Sequence, residues 1–176
     1  YSPALYKNSI VFSSTRMMNK EIDGYTSQNY SRLFYYDSNR QKILPFANEI
    51  AGLYNIGSSS FSSDGKEMYF TKNRDKLNSK NVATFLILRT EYQGDKWLTP
   101  APVIDQNPEY HYVHPTISPN GRLLAFASDM GSSEGLDLYL CERNSSDENW
   151  SKPKKLPEYI NSMKDEVFPV FLSDSV

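Results

Sequence analysis

Cysteine is almost missing from this chain, and the single Cys141 rules out an internal disulfide. It sits in a strand-like apolar run, where it reads as a small buried hydrophobe rather than a nucleophile. Histidine is equally scarce. His111 and His114 are the only two, one fewer than the three protein ligands of a typical catalytic zinc site. Long apolar runs are missing too: the longest, Val82 to Leu88, is far short of the roughly 20 residues that a membrane-spanning helix needs. No sign of charge dominates. Nineteen Lys and Arg face 21 Asp and Glu, for a net charge of −2. The basic residues are scattered rather than striped, which gives nucleic acid no footing. There is no His-Glu-x-x-His and no phosphate-binding glycine loop. Asp165 and Glu166 are adjacent, so an extended chain points them apart, unlike the facing carboxylates of a glycosidase. The sequence thus offers no catalytic set, no metal-ligand set and no cofactor motif. Helical periodicity is lacking over any long stretch, and the expected fold class is all-β.

What the chain does have is an internal repeat. The run from His114 to Asp129, with Ser118-Pro119-Asn120-Gly121 at its centre, recurs as Ser58 to Asn73 with Ser62-Ser63-Asp64-Gly65. A third copy opens the chain at Ser2 to Ser14, two residues shorter, and a fourth begins at Phe168. Pro3, Ser59, Pro115 and Pro169 mark successive copies at spacings of 56, 56 and 54 residues. A period of this length is the mark of a repeat architecture.

Each unit reads as four strands. In the clearest one, Pro115 to Ser118 is followed by the Pro119-Asn120-Gly121 turn, then Leu123 to Ser128, then Asp137 to Glu142 after a polar loop, then Trp150 to Leu156. Pro153 lies inside the last run, and a proline cannot donate to a strand ladder, so that strand belongs at an edge. Lys152, Lys154 and Lys155 on it are the charges that guard an edge against further pairing. In the middle unit, Phe61, Met68 to Phe70, Thr84 to Leu88 and Trp97 to Val103 take the same four places, with Trp97 and Pro100 matching Trp150 and Pro153. Thr84 there stands where Asp137 does. The first unit lacks both the Asp-Gly turn and the tryptophan. Four strands per unit with a proline-tolerant outer strand describe a propeller blade. The expected organisation is a partial β-propeller over residues 1–176, with blades at about 2–57, 58–113 and 114–167 and the start of another at 168–176. Three blades and a stub leave open edges, so the expectation is a fragment of a longer chain.

Blade topology places the loops between second and third strands, and the crossovers between blades, on one face. That face is expected to carry 15–30, 72–83, 129–136, 47–57, 104–114 and 157–167. Long loops on a rigid scaffold are where binding concentrates. Met17, Met18, Ile22, Tyr25 and Tyr30 suit an adaptable protein surface, and Tyr110, His111, Tyr112, Asp165 and Glu166 join them as candidate partner-binding residues. Two sharper chemistries are weaker on the same residues. His111 with His114 lacks a third ligand. Asp129, Glu134 and Asp137 do not follow the spacing of an EF-hand calcium loop.

The Ser-Pro-Asn-Gly-Arg-Leu-Leu-Ala-Phe-Ala-Ser-Asp run followed by Gly135 to Tyr139 resembles the TolB-type, WD-like propeller repeat. The continuation through Asn149 to Leu156, Ile160-Asn161-Ser162 and Asp165 to Pro169 resembles the version in OmpA-family envelope proteins of the Bacteroidetes, including the PorE-like components of type IX secretion. That resemblance implies a periplasmic or outer-membrane-associated scaffold whose partners are envelope or secretion-system proteins. It implies no contact with nucleic acid and no membrane span in this stretch. Peptidoglycan would be reached only through an OmpA-like domain that this sequence does not contain. The alternatives are the propeller of a serine peptidase of the prolyl oligopeptidase type and a carbohydrate-binding propeller.

Overall fold

A computed structural model describes residues 2–16, 22–23, 27–50, 55–131, 135–145 and 148–174. Among these residues, thirteen strands form three antiparallel sheets. The first holds β1 (Ala4–Tyr6), β2 (Ser9–Ser14), β3 (Arg32–Asp37) and β4 (Lys42–Pro45) in chain order. The second holds β5 (Ile56–Phe61), β6 (Glu67–Asn73) and β7 (Phe85–Gln93), with β8 (Lys96–Trp97) and β9 (Ala101–Pro102) both paired to β7. The third holds β10 (Tyr112–Ile117), β11 (Leu123–Ser128), β12 (Asp137–Glu142) and β13 (Lys154–Lys155). These are the up-and-down blades of a partial propeller, the architecture that the repeat implied. A short 3-10 turn at Asn48–Ile50 is the one helical element among the described residues.

The middle blade explains why its strands lose the usual alternation of apolar and polar residues. Met68 and Phe70 of β6 pack with Val11, Leu33 and Trp97 in one core, while Tyr69 packs with Leu124, Phe126 and Cys141 in a second. A strand covered on both faces is apolar on both. The cores therefore lie between blades, not within them. Cys141 is fully buried in the second core, where burial pushes its thiol up to about 12. It is a packing residue, as its sequence context indicated.

The outer strand is shorter than its sequence suggested. Expected as continuous from Trp97 to Val103 and from Trp150 to Leu156, it is broken into β8 and β9 in the second blade and reduced to Lys154–Lys155 in the third. Pro100, Pro102 and Pro153 lack the N–H that would continue the ladder, and the tryptophans turn inward instead. Trp97 joins Tyr6, Phe46 and Phe61 between the first and second blades. Trp150 meets Tyr69 edge-on between the second and third. Phe46 of the first blade packs into the same cluster, against Tyr6 and Tyr35. Register also corrects one alignment. Asp137 pairs with Ser128, and the residue opposite the corresponding Lys72 is Leu86, not Thr84.

Side-chain amides supply what the short outer strand does not. Gln106, in the crossover after the second blade, accepts from the Ile87 N–H at 2.7 Å and donates to the Ile87 carbonyl at 2.8 Å. Asn161, after the third, does the same for Leu138 at 2.8 and 3.1 Å and also donates to the Leu156 carbonyl. Each clamp satisfies backbone groups that a longer fourth strand would have paired.

Candidate functional site

The two β-turns of the second and third blades are built alike and lie away from the loops of interest. Ser62 Oγ donates to Asp64 Oδ1, which also accepts from Lys66 N. Ser118 Oγ and Arg122 N do the same with Asn120 Oδ1. Gly65 and Gly121 supply φ of 67° and 71° at the matching positions, a region that a Cβ disfavours.

At the opposite end, each crossover is tied to the loop between second and third strands of the blade it leaves. In the second blade, Asn78 Nδ2 donates to the Glu109 carbonyl, Ser79 N and Oγ donate to the Glu109 carboxylate, Arg74 donates to the Gln106 carbonyl at 2.9 Å, and Thr84 Oγ1 donates to the Pro108 carbonyl at 2.8 Å. In the third, Leu136 N donates to Asp165 Oδ1 at 2.8 Å, and Glu166 N donates to the Leu136 carbonyl at 2.7 Å. In the first, Asn55 Nδ2 donates to Asp23 Oδ2 at 2.6 Å. Loops and crossovers thus share one face, and side chains fix their shapes.

A cleft of about 650 Å³ opens on this face between the second and third blades. Val82, Phe85, Tyr110, Val113 and Leu136 give it apolar walls, and Glu109, Asp129, Asp165 and Lys80 give it charge. His111 lies against Phe85 with ring centroids 5.5 Å apart, and its backbone N–H donates to Asp129 Oδ1 at 2.7 Å. A second groove of about 600 Å³ is lined by residues of β1, β5 and β10 and by the segment 168–170, including Ala4, Ser59, Pro115 and Pro169.

His114 borders both spaces. It sits at a bulge in β10 between Val113 and Thr116, and an equivalent bulge lies in β5 between Ile56 and Ser59. Released from the ladder, the His114 N–H crosses to Thr71 Oγ1 of the second blade at 3.2 Å. Its ring lies tilted against Phe168 with centroids 3.8 Å apart. His114 and Phe168 precede Pro115 and Pro169, and both adopt left-handed φ, 54° and 56°. Burial lowers the His114 imidazole to about 4, and its Nδ1 is buried with no hydrogen-bond partner among the described residues.

The residues singled out from sequence scatter. Met17, Met18 and Tyr25 lie outside the described residues, as does Glu134. Ile22 is exposed and bridges to Asn29. Tyr30 stacks beneath the Arg32 guanidinium at 5.1 Å. Tyr110, His111 and Asp165 meet at the cleft. Tyr112 does not: it is 2% exposed in the second core, with its hydroxyl accepting from Asn107 N. Alternation along β10 turns Tyr112 inward, so it is not a surface contact. Glu166 is bound up in its own loop, accepting from Ser162 N and Oγ at 3.0 and 2.6 Å. Asp129 and Asp137 do not converge. Asp137 is buried with its Oδ2 2.8 Å from Lys155 Nζ, so Lys155 neutralises a core carboxylate rather than merely guarding an edge. Sequence reasoning missed Phe85, Leu136 and Lys80. Each looks like ordinary strand or loop chemistry until the crossover folds over it.

The fold and the loop-bearing face define a β-propeller segment. Among solved structures, the chain is similar to TolB from Acinetobacter baumannii, at TM-score 0.55 and 16% identity over 88% of this chain. It spans about a third (33%) of that protein's length. A prolyl endopeptidase (TM-score 0.44, 12% identity) and a puromycin-hydrolysing peptidase of Mycobacterium tuberculosis (0.33, 11%) also align over 88% of the chain, which covers 20% and 30% of their lengths. No family model matches the sequence, and no curated protein matches it. The likeness to TolB shows a TolB-like propeller fold and nothing finer.

Proposed function

We propose that this chain is a non-catalytic docking platform of a bacterial cell-envelope protein, of the OmpA-related kind and serving a secretion or anchoring assembly. The observation that carries this reading is the pinned face: in successive blades, each crossover is hydrogen-bonded to the loop of the blade it leaves, beside a concave cleft. A surface whose loops are already ordered binds a partner with little further entropy cost. The envelope setting rests on the sequence resemblance through Asn149 to Leu156 and Asp165 to Pro169. No helix among the described residues is long and apolar enough to cross a membrane.

The test is site-specific photo-crosslinking in cells. A photoreactive residue at Tyr110 or Lys80 on the loop face should capture a protein partner, and one at Gln93 on the turn face should not. Capture from Gln93 alone, or from neither face, would refute the platform. Recovery of the protein in the cytoplasmic rather than the envelope fraction would refute the setting.

A further inference from the structure

We infer that the cleft between the second and third blades receives an arginine side chain from an extended segment of the partner protein. This inference rests on the docking reading above and gives it a chemistry. Three carboxylates, Glu109, Asp129 and Asp165, line the cleft against one cation, Lys80. Asp129 and Asp165 each commit Oδ1 to a backbone N–H, of His111 and Leu136. Their second oxygens carry no hydrogen bond among the described residues, so each presents an oriented, unused acceptor. Those same backbone bonds fix the carboxylates before any ligand arrives, which is the arrangement that makes a charge-assisted hydrogen bond effective.

The walls select among cations. Phe85, Tyr110 and His111 offer aromatic surface, while Val113 and Leu136 offer aliphatic surface for a methylene stem. A guanidinium is planar, stacks on aromatic faces and bonds carboxylates two at a time, whereas an ammonium is compact and strongly hydrated. The missing groups are donors on a flat cation with an apolar stem.

The intact protein can be titrated into a dye-labelled five-residue peptide, Ser-Gly-Arg-Gly-Ser, with fluorescence anisotropy as the readout. A twin peptide carries citrulline, the uncharged isostere of arginine. The arginine peptide should bind at least about tenfold more tightly than its twin, and added salt should narrow the gap. Asp129→Asn combined with Asp165→Asn should abolish the difference. The Asn Oδ1 can still accept from His111 and Leu136, so the loops stay folded, which circular dichroism checks. Equal binding of the two peptides, no binding of either, or a preference that survives both substitutions overturns the inference. The docking platform would stand after such a failure if Tyr110 still crosslinks a partner, and both ideas fall together only if that crosslink is also lost.

Discussion

Arg143 Nη2 of β12's trailing end lies 2.8 Å from Glu67 Oε2 of β6, a pair 76 residues apart that joins the third blade to the second. Arg89 bonds the other oxygen of the same carboxylate, and the Tyr69 hydroxyl donates to Oε2 at 3.1 Å. Arg143 also donates to the Gly121 carbonyl at 2.7 Å and lies 4.4 Å over the Trp150 ring. Its side chain is 2% exposed and that of Glu67 11%. The inner core between these blades is apolar, so this network is the polar lock at its turn-face end.

Glu67→Gln should therefore destabilise the fold by about 3–5 kcal/mol, because it strands a buried guanidinium. Urea unfolding measures the loss. A double-mutant cycle with Arg143→Gln should show a coupling above about 1 kcal/mol, and additive effects would contradict the lock.

The same carboxylate sets an acid limb. Burial by itself would raise the Glu67 carboxyl, but hydrogen bonds from Arg143 and Arg89 outweigh it and hold the group below the ordinary glutamate value. A carboxylate depressed in the folded state binds protons more readily when unfolded. Its stabilisation is complete above the ordinary glutamate range and is lost as the pH falls through the folded value. Stability profiles against pH should fall on that limb in the native protein and flatten in Glu67→Gln.

His114 acts at higher pH. Its folded value of about 4 lies below the ordinary 6.5, and the cause is burial. Between those values the unfolded chain takes up a proton that the folded chain refuses, so stability drops as the pH falls from 6.5 towards 4 and is unaffected by this group above that window. The loss at the lower end amounts to as much as about 3 kcal/mol. His114→Gln should remove this segment of the profile. Proton NMR of the imidazole should show it neutral at pH 5.5, and a half-charged ring there would contradict its burial.

Gln106→Ala and Asn161→Ala should each cost about 1–3 kcal/mol, the penalty for buried backbone groups left unpaired. Amide exchange at Ile87 and Leu138 should quicken in the respective variants. Gln106→Glu should be no remedy, since a carboxylate can accept from the Ile87 N–H but cannot donate to its carbonyl.

Gly65→Ala should be worse than Gly121→Ala. Both carry left-handed φ, which alone costs a residue with a Cβ about 1–2 kcal/mol. At Gly65 the added carbon would also lie 3.3 Å from Tyr6 Cε2, whereas at Gly121 its nearest neighbour is Arg143 Nη2 at 3.5 Å. Thermal melts of the two variants should keep that order.

Much of the architecture was legible in the chain because a repeat states its local rules more than once. Ser118-Pro119-Asn120-Gly121 and Ser62-Ser63-Asp64-Gly65 announce the same turn, since the Ser and Asn or Asp side chains bond their own backbone and the glycine takes φ that others avoid. The apolar runs Met68 to Phe70 and Leu124 to Ala127 announce buried second strands. The length of the outer strand was overstated. Its proline pattern signalled an edge but not that Gln106 and Asn161, which read as loop residues, would take over its hydrogen bonds.

The sequence by itself determined the all-β class, the blade period, the turns and the inertness of Cys141, because these depend on residues within about one blade of each other. Only the tertiary structure decided that Glu67 meets Arg143, that Tyr112 faces the core while Tyr110 and His111 line the cleft, and that Asp129 and Asp165 line that same cleft. Those relations depend on how separate strands, crossovers and blades come together. No local pattern encodes them, because they follow from how one sheet twists and packs against the next.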